Sequence, residues 1–250
     1  MLDQNFHREQ ETILANLDRQ PLHKLYKIQA AFDTQYMDPA LILPPERDER
    51  WELARQIGVE HAVVNTMNIG DGRRFEEYDE LLRLANRFDN AGLSLSVIEE
   101  SFPQTNTTVL GKEGRDDEIS RFCEFLRNAG RVGVDTVCYD WMVTRWARTD
   151  TAVPTRGGSL TTAYDHEEMQ QGPDPPAAPV TAERLWATLE YFLERAVPVA
   201  DDAGVDLALH PNDPPISPVP GIDRIITSVD AYDLGLQIME CPPNGIELCR

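Results

Sequence analysis

Apolar positions along the chain repeat with two periods. Short apolar runs fall at Ala40–Pro44, His61–Asn65, Leu93–Glu99, Val134–Met142, Val205–His210 and Gly245–Cys249, and each reads as a β-strand. Between them the spacing changes to three and four. Glu46–Ile57 carries Trp51, Leu53, Ala54 and Ile57 on one helical face, and Gly58 follows as a left-handed cap. Phe75–Ala91 places Leu81, Leu82, Ala85 and Phe88 likewise, with Gly92 behind it. A third helix spans Asp116–Ala129, closed by Gly130. Thr181 caps a fourth that reaches Ala203, where Pro198 is expected to kink or shorten it. Two short helical pieces are expected near Ile222–Ile226 and Val229–Met239. The 143–180 segment, rich in Pro, Gly and Thr, reads as a long irregular stretch, and its Gln170–Ala178 portion is expected to be mobile.

Strand–helix alternation with connections too long for hairpins implies parallel strands and right-handed crossovers, hence an α/β protein. Pro44-Pro45-Glu46-Arg47 stands where a dinucleotide-binding sheet would carry its glycine-rich turn, so a (β/α)8 TIM-barrel type is the better reading. Only six strands are legible, so the barrel is incomplete, with about six of eight present. Residues 1–36 do not fit the repeat and form an N-terminal extension; 37–250 is the truncated barrel domain. Met37, three residues before the first strand, is an alternative start.

Charge narrows the partners. Asp and Glu number 43 against 23 Lys plus Arg, a net charge of −20. Of the bases only Lys24, Lys27 and Lys112 are lysine. Such a surface repels nucleic acid and anionic lipid, which excludes both as partners. Excess acid with almost no lysine suits a halophilic surface, where counterions screen self-repulsion; an ordinary acidic protein is the plainer alternative. No apolar run nears the roughly 18 residues of a membrane helix, and the polar N-terminus lacks a secretory core, so a cytoplasmic protein is expected. Cys123, Cys138, Cys241 and Cys249 show no CxxC spacing and read as reduced thiols.

Reactive groups of a parallel barrel belong at the carboxyl ends of its strands. Those ends carry Asn65, Glu99, Glu100, Asp140, His210 with Asp213, and Cys249. His210 follows an apolar strand and precedes a proline-stiffened loop, Pro211-Asn212-Asp213-Pro214-Pro215, which would hold the imidazole as a metal ligand or base; a core histidine bonded to a carbonyl is the alternative. Cys249 ends the next strand. A His–Cys pair with nearby carboxylates suits Zn²⁺, Fe²⁺ or Mn²⁺, against the alternative of a buried terminal thiol. Arg145, Trp146 and Arg148 could hold a sugar-acid carboxylate, or simply pair with local acids.

These residues resemble the mannonate dehydratase family. The likeness is carried by Cys138-Tyr139-Asp140-Trp141-Met142, Trp146-Ala147-Arg148-Thr149, 157–165, Leu185-Trp186, 189–193, 210–215 and Gly245–Cys249, with Val97-Ile98-Glu99 and Leu126-Arg127-Asn128, and covers about 40–250 in order. It implies a xylose-isomerase-like barrel that dehydrates D-mannonate to 2-keto-3-deoxy-D-gluconate in hexuronate (glucuronate-pathway) catabolism. It also implies Mn²⁺ or Fe²⁺ on His210 and Cys249, with a further His and Asp, and the acid/base groups, beyond residue 250. Arg148, Glu99 and Asp213 are the expected substrate contacts, and a homo-oligomer is compatible. Asp140 stands where the family has Asn, and Asn212 where it has Asp. A sugar isomerase or epimerase on the same barrel, or a non-catalytic fragment of a split gene, are the alternatives. The 250-residue chain alone is expected to be inactive.

Overall fold

The computed structural model describes residues 38–65, 76–99, 105–143, 146–172, 180–219 and 221–248. Contacts divide the chain into Met1–Pro39 and Ala40–Arg250. The expected 1–36 extension lies outside the described residues, and the second unit holds the whole parallel sheet.

Six strands form that sheet: β1 (Ala40–Ile42), β2 (His61–Asn65), β3 (Ser94–Glu99), β4 (Thr136–Tyr139), β7 (Asp206–Leu209) and β8 (Asn244–Ile246), neighbours in that order. The helices α1 (Glu49–Gln56), α2 (Tyr78–Asp89), α4 (Arg115–Val132), α6 (Ala182–Ala203) and α7 (Val229–Ile238) make the crossovers. This is the expected α/β arrangement with six strands, and no closed barrel forms among the described residues. β1 and β8 are the sheet edges there, with Ile42 62% and Ile246 42% exposed. No described helix is long and apolar enough to cross a membrane.

Apolar side chains on one side of each strand (Ala62 and Val64, Ile98, Val137, Leu207 and Leu209) face the helices and are buried. Trp51 of α1 stacks on Phe88 of α2 at 4.0 Å between ring centroids. Phe192 of α6 sits among Phe122, Tyr139 and Trp141 with centroids 5.1–5.5 Å away. Offset and tilted pairs of this kind add to the stabilisation from area burial.

Several local expectations are corrected. Gly130 does not close its helix. It lies inside α4, which ends at Gly133 in the left-handed region (φ 86°). Gly130 is needed because α6 comes too close for a side chain: a Cβ there would stand 2.2 Å from the Ala203 carbonyl oxygen. Pro198 does not shorten α6, which continues to Ala203. Its ring lies on the exposed face, where water can take the carbonyl it leaves, while Leu193, Ala196, Val197 and Ala200 keep the inner face buried. Ile222–Ile226 is not helical. The side-chain oxygen of Asn212 accepts the N–H of both Ile225 and Ile226 at 2.9 Å, and the Asp223 N–H goes to the Val180 carbonyl, so the segment stays extended.

The 143–180 stretch is more regular than expected where described. β5 (Asp150–Pro154) and β6 (Leu160–Ala163) form an antiparallel hairpin, followed by a short helix α5 (His166–Met169). Gly157 and Gly158 turn the hairpin at φ 72° and 79°, values that favour glycine. The part of Gln170–Ala178 expected to be mobile lies mostly outside the described residues. A four-residue helix, α3 (Asn106–Val109), had no apolar repeat to reveal it. Buried Glu118 holds it, accepting from the Thr108 N–H at 2.8 Å and from Thr105 Oγ1 at 2.5 Å.

The α4–α6 crossing yields the first prediction. Gly130→Ala should destabilise the fold by about 1–3 kcal/mol through overpacking against Ala203, outweighing the roughly 1 kcal/mol that alanine gains in helix propensity. Urea unfolding followed by circular dichroism reads this directly; unchanged or higher stability would show that the helices can part at no cost.

Candidate metal and sugar-acid site

The site lies where β3, β4, β7 and β8 end. Its first carboxylate depends on an irregularity. The pairing of β2 with β3 shifts between Ala62 and Val63, so that Ala62 faces Leu95 while Val63 faces Val97, and Ser96 is the extra residue. Such a bulge resets the alternation of a strand. Leu95 and Ile98 consequently both join the core, and Glu99 falls on the side opposite Ile98. His61 Nδ1 and Ser96 Oγ lie 2.7 Å apart at the bulge.

His210 comes one residue after β7. It is buried at 5% exposure, and its backbone N–H donates to the Tyr139 carbonyl at 2.8 Å. Its Nδ1 lies 2.6 Å from the Pro211 carbonyl oxygen. A carbonyl can only accept, so Nδ1 is the donor here and Nε2 is the ring nitrogen left available to a metal. Trp146 meets the imidazole edge-on, with centroids 6.0 Å apart and planes at 80°. Glu247 follows β8 directly. Glu99, His210 and Glu247 each bring one ligand atom within 4.8 Å of the other two. Glu247 Oε2 is buried and has no hydrogen-bond partner among the described residues. The space these residues share with Cys138, Asp140 and Trp146 measures about 10 Å³, room for one ion or water. A buried carboxylate oxygen with no donor fits a cation, so the residues present suit a divalent metal.

Cys138, on β4, shares this space. Burial first, then the Glu247 carboxylate, both by its charge and by a hydrogen bond with the thiol, and last Glu99 push its thiol far above the ordinary range. Asp140 is buried and accepts the Met142 N–H at 3.1 Å, bracing the turn after β4. Asn212, buried at 1%, pins the 225–226 backbone.

The expected substrate residues divide. Glu99 sits with His210. Arg148 and Asp213 are brought together with each other: the guanidinium meets the Asp213 carboxylate in a two-pronged pair at 2.5 and 3.2 Å. Arg148 also donates to Thr162 Oγ1 at 2.8 Å and to the Ala147 carbonyl at 2.9 Å, tying the β5–β6 hairpin to the loop after β7. Buried Arg224 donates to the Asp213 carbonyl at 2.7 Å beneath the same pair. Glu100, Arg145 and Cys249 lie outside the described residues. Sequence reasoning passed over Glu247 and took Cys138 as an ordinary buried thiol. The signal for Glu247 was its place in the last apolar run, Gly245–Cys249, near the end expected to carry reactive groups.

A parallel α/β sheet with an imidazole and two carboxylates converging at its strand ends defines a candidate metal-dependent enzyme fold of the barrel type. Residues 47–175 and 177–250 match the family model for D-mannonate dehydratase (UxuA), and the chain belongs to that family. It is 34% identical to the mannonate dehydratase of Streptococcus uberis over 196 residues, 68% of this chain and 56% of the relative. Against that of Thermotoga neapolitana it is 35% identical over 231 residues, 79% of this chain and 63% of the relative. The crystal structure of mannonate dehydratase from Streptococcus suis serotype 2 superposes with a TM-score of 0.76 at 30% identity, covering 86% of this chain and 64% of that one. The chain thus spans less than two thirds of the length of these relatives.

Thiol reactivity tests the described environments. Burial raises the Cys123 and Cys138 thiols, which keeps them protonated and weakly nucleophilic at neutral pH, whereas Cys241 is half-buried. Iodoacetamide applied to the native protein should modify Cys241 well before Cys138, as read by peptide mass mapping. Early labelling of Cys138 would show that the site is open to reagent.

Proposed function

We propose that this chain carries the metal-binding and sugar-acid part of a hydro-lyase that converts D-mannonate to 2-keto-3-deoxy-D-gluconate, in the cytoplasm of a salt-adapted cell. The observation that carries the reading is His210: a buried imidazole with Nδ1 fixed on a carbonyl and Nε2 left for a metal, beside Glu99 and Glu247, in a chain of the mannonate dehydratase family. Mn²⁺ or Fe²⁺ is the proposed ion, held by His210 and Cys249.

The reaction takes the proton from the carbon α to the carboxylate and expels hydroxide from the neighbouring carbon. The enol that remains tautomerises to the ketone, and one water leaves. A bound divalent cation would supply charge stabilisation for the carboxylate oxygens as the α-proton departs. Glu99 would orient the sugar hydroxyl nearest the imidazole. Asp213, the more exposed partner of its ion pair, would accept a hydroxyl farther along the chain, while Arg148 holds it in place and adds positive charge near the sugar-acid carboxylate. Trp146 would shield the imidazole edge from water. The acid/base groups belong to sequence that the relatives have outside the span matched here.

The test is product formation from D-mannonate with Mn²⁺ in molar KCl. Residues 1–250 alone should yield none; co-expression with the C-terminal segment of the Thermotoga neapolitana relative should yield a 2-keto-3-deoxy acid, lost in His210→Ala. A ketose product would replace dehydration by isomerisation. Turnover by the chain alone would mean that the acid/base groups lie within it. The salt reading has its own check: with a net charge of −20, the thermal midpoint should rise steeply from low to molar KCl, and a flat response would remove it.

A further inference from the structure

One residue at the base of the β5–β6 hairpin reaches the site, and another ties the hairpin down. Most side chains of β5 and β6 are exposed, so the hairpin buries little against the parallel sheet and its helices. Trp146, just before it, lines the space beside His210 and Cys138 and meets the imidazole edge-on with centroids 6.0 Å apart. That space, about 10 Å³, admits one ion or water but no carbon chain. A sugar acid therefore reaches the imidazole only when a wall withdraws. Glu99, Cys138, His210 and Glu247 sit on strands of the parallel sheet or on the residue directly after one, where the strand ladder holds them. Trp146 is carried by the segment that leads into the hairpin, outside any strand. Two residues on, Arg148 grips the Asp213 carboxylate at 2.5 and 3.2 Å and Thr162 of β6 at 2.8 Å. Asp213 is itself seated by buried Arg224, which donates to its carbonyl at 2.7 Å. The side chains of the Arg148–Asp213 pair are 22% and 37% exposed, so water competes for the contact and it can part without unfolding the sheet.

We infer that the β5–β6 hairpin is a lid over the pocket beside His210, and that the Arg148–Asp213 ion pair is its latch. With the pair made, Trp146 stands against the imidazole and shuts the pocket. With the pair broken, the 146–148 segment moves away with the hairpin and opens a path to Cys138 and His210. The two-pronged geometry fixes the closed position, and partial exposure lets the pair release. A lid of this kind admits a substrate and then keeps water from the imidazole. Access to the pocket is measurable in this chain alone, whatever sugar acid the complete site takes.

The experiment times iodoacetamide modification of Cys138 by peptide mass mapping, in molar KCl with EDTA at one fixed pH. Wild type should label Cys138 far more slowly than Cys241. Arg148→Gln and Asp213→Asn should each speed Cys138 by about fivefold or more, as a local opening becomes frequent. One variant removes a positive charge and the other a negative one, so a rise in both marks opening rather than a shift of the thiol by charge. Arg148→Lys keeps the charge without the two-pronged grip and should give a smaller rise. The double variant should be no faster than the faster single, because both remove one contact. Trp146→Ala takes away the cover itself: Cys138 should label fast, and adding Asp213→Asn should change nothing further. Cys123, buried between α4 and α6, reports general unfolding and should keep its wild-type rate in every variant. Unchanged Cys138 labelling in both Arg148→Gln and Asp213→Asn overturns the inference. So does an equal rise at Cys123, the mark of general loosening, or wild-type Cys138 labelling as fast as Cys241, the mark of a pocket with no lid.

Discussion

The close crossing of α4 and α6 governs the rest of the molecule. These two helices cover β4 and β7, the strands that deliver Cys138 and His210, and they approach until the backbone of Gly130 meets Ala203. Phe122 of α4 and Phe192 of α6 meet edge-on at 5.1 Å in the layer between helices and sheet, and Trp141, past the end of β4, donates its indole N–H to the Leu185 carbonyl at 3.0 Å. A larger residue at 130 would lift one helix and loosen that aromatic layer. The strand ends would then lose the support that aims them. Rigidity in the hydrophobic half of the sheet is what lets three polar side chains converge in the other half.

Much of this was legible because parallel strands buried by helices read as apolar runs and amphipathic helices read at three-and-four spacing. All six strands and the long helices appear where the periodicity puts them. What escaped has a common cause in tertiary contact. Gly130 looked like a stop signal because sequence cannot tell a glycine that ends a helix from one that lets another helix approach. Ile222–Ile226 has helical spacing, but the Asn212 side chain claims its N–H groups from 10 or more residues away. His210 was readable from its place after an apolar strand. Glu247 was not, since a glutamate near a chain end is usually solvated, and only the three-dimensional pocket removes its water.

The arginine bias has a local rationale as well as a global one. Arg115 and Arg195 lie over the Tyr191 ring at 3.6 and 3.3 Å, and the Tyr191 hydroxyl donates to Asp116 at 2.7 Å. A planar, weakly hydrated guanidinium stacks in this way more readily than a lysine ammonium does. Most of the surface pairs, such as Arg83 with Asp79 and Glu80, are exposed and individually worth little. Their value is to break up an otherwise unrelieved negative surface.

The bulge at Ser96 has a consequence for heredity. Because one extra residue there decides that Ile98 points to the helices and Glu99 away from them, deletion or insertion of a single codon between Leu95 and Glu99 would exchange their sides, burying a charge in the core and placing an isoleucine in the pocket. The 150–163 hairpin, by contrast, lies largely exposed and can change length at its tip without moving any strand of the parallel sheet. Lineages of this protein should therefore accumulate length differences in the hairpin and none across the bulge, so that the spacing of residues, rather than their identity, bears the stricter inheritance.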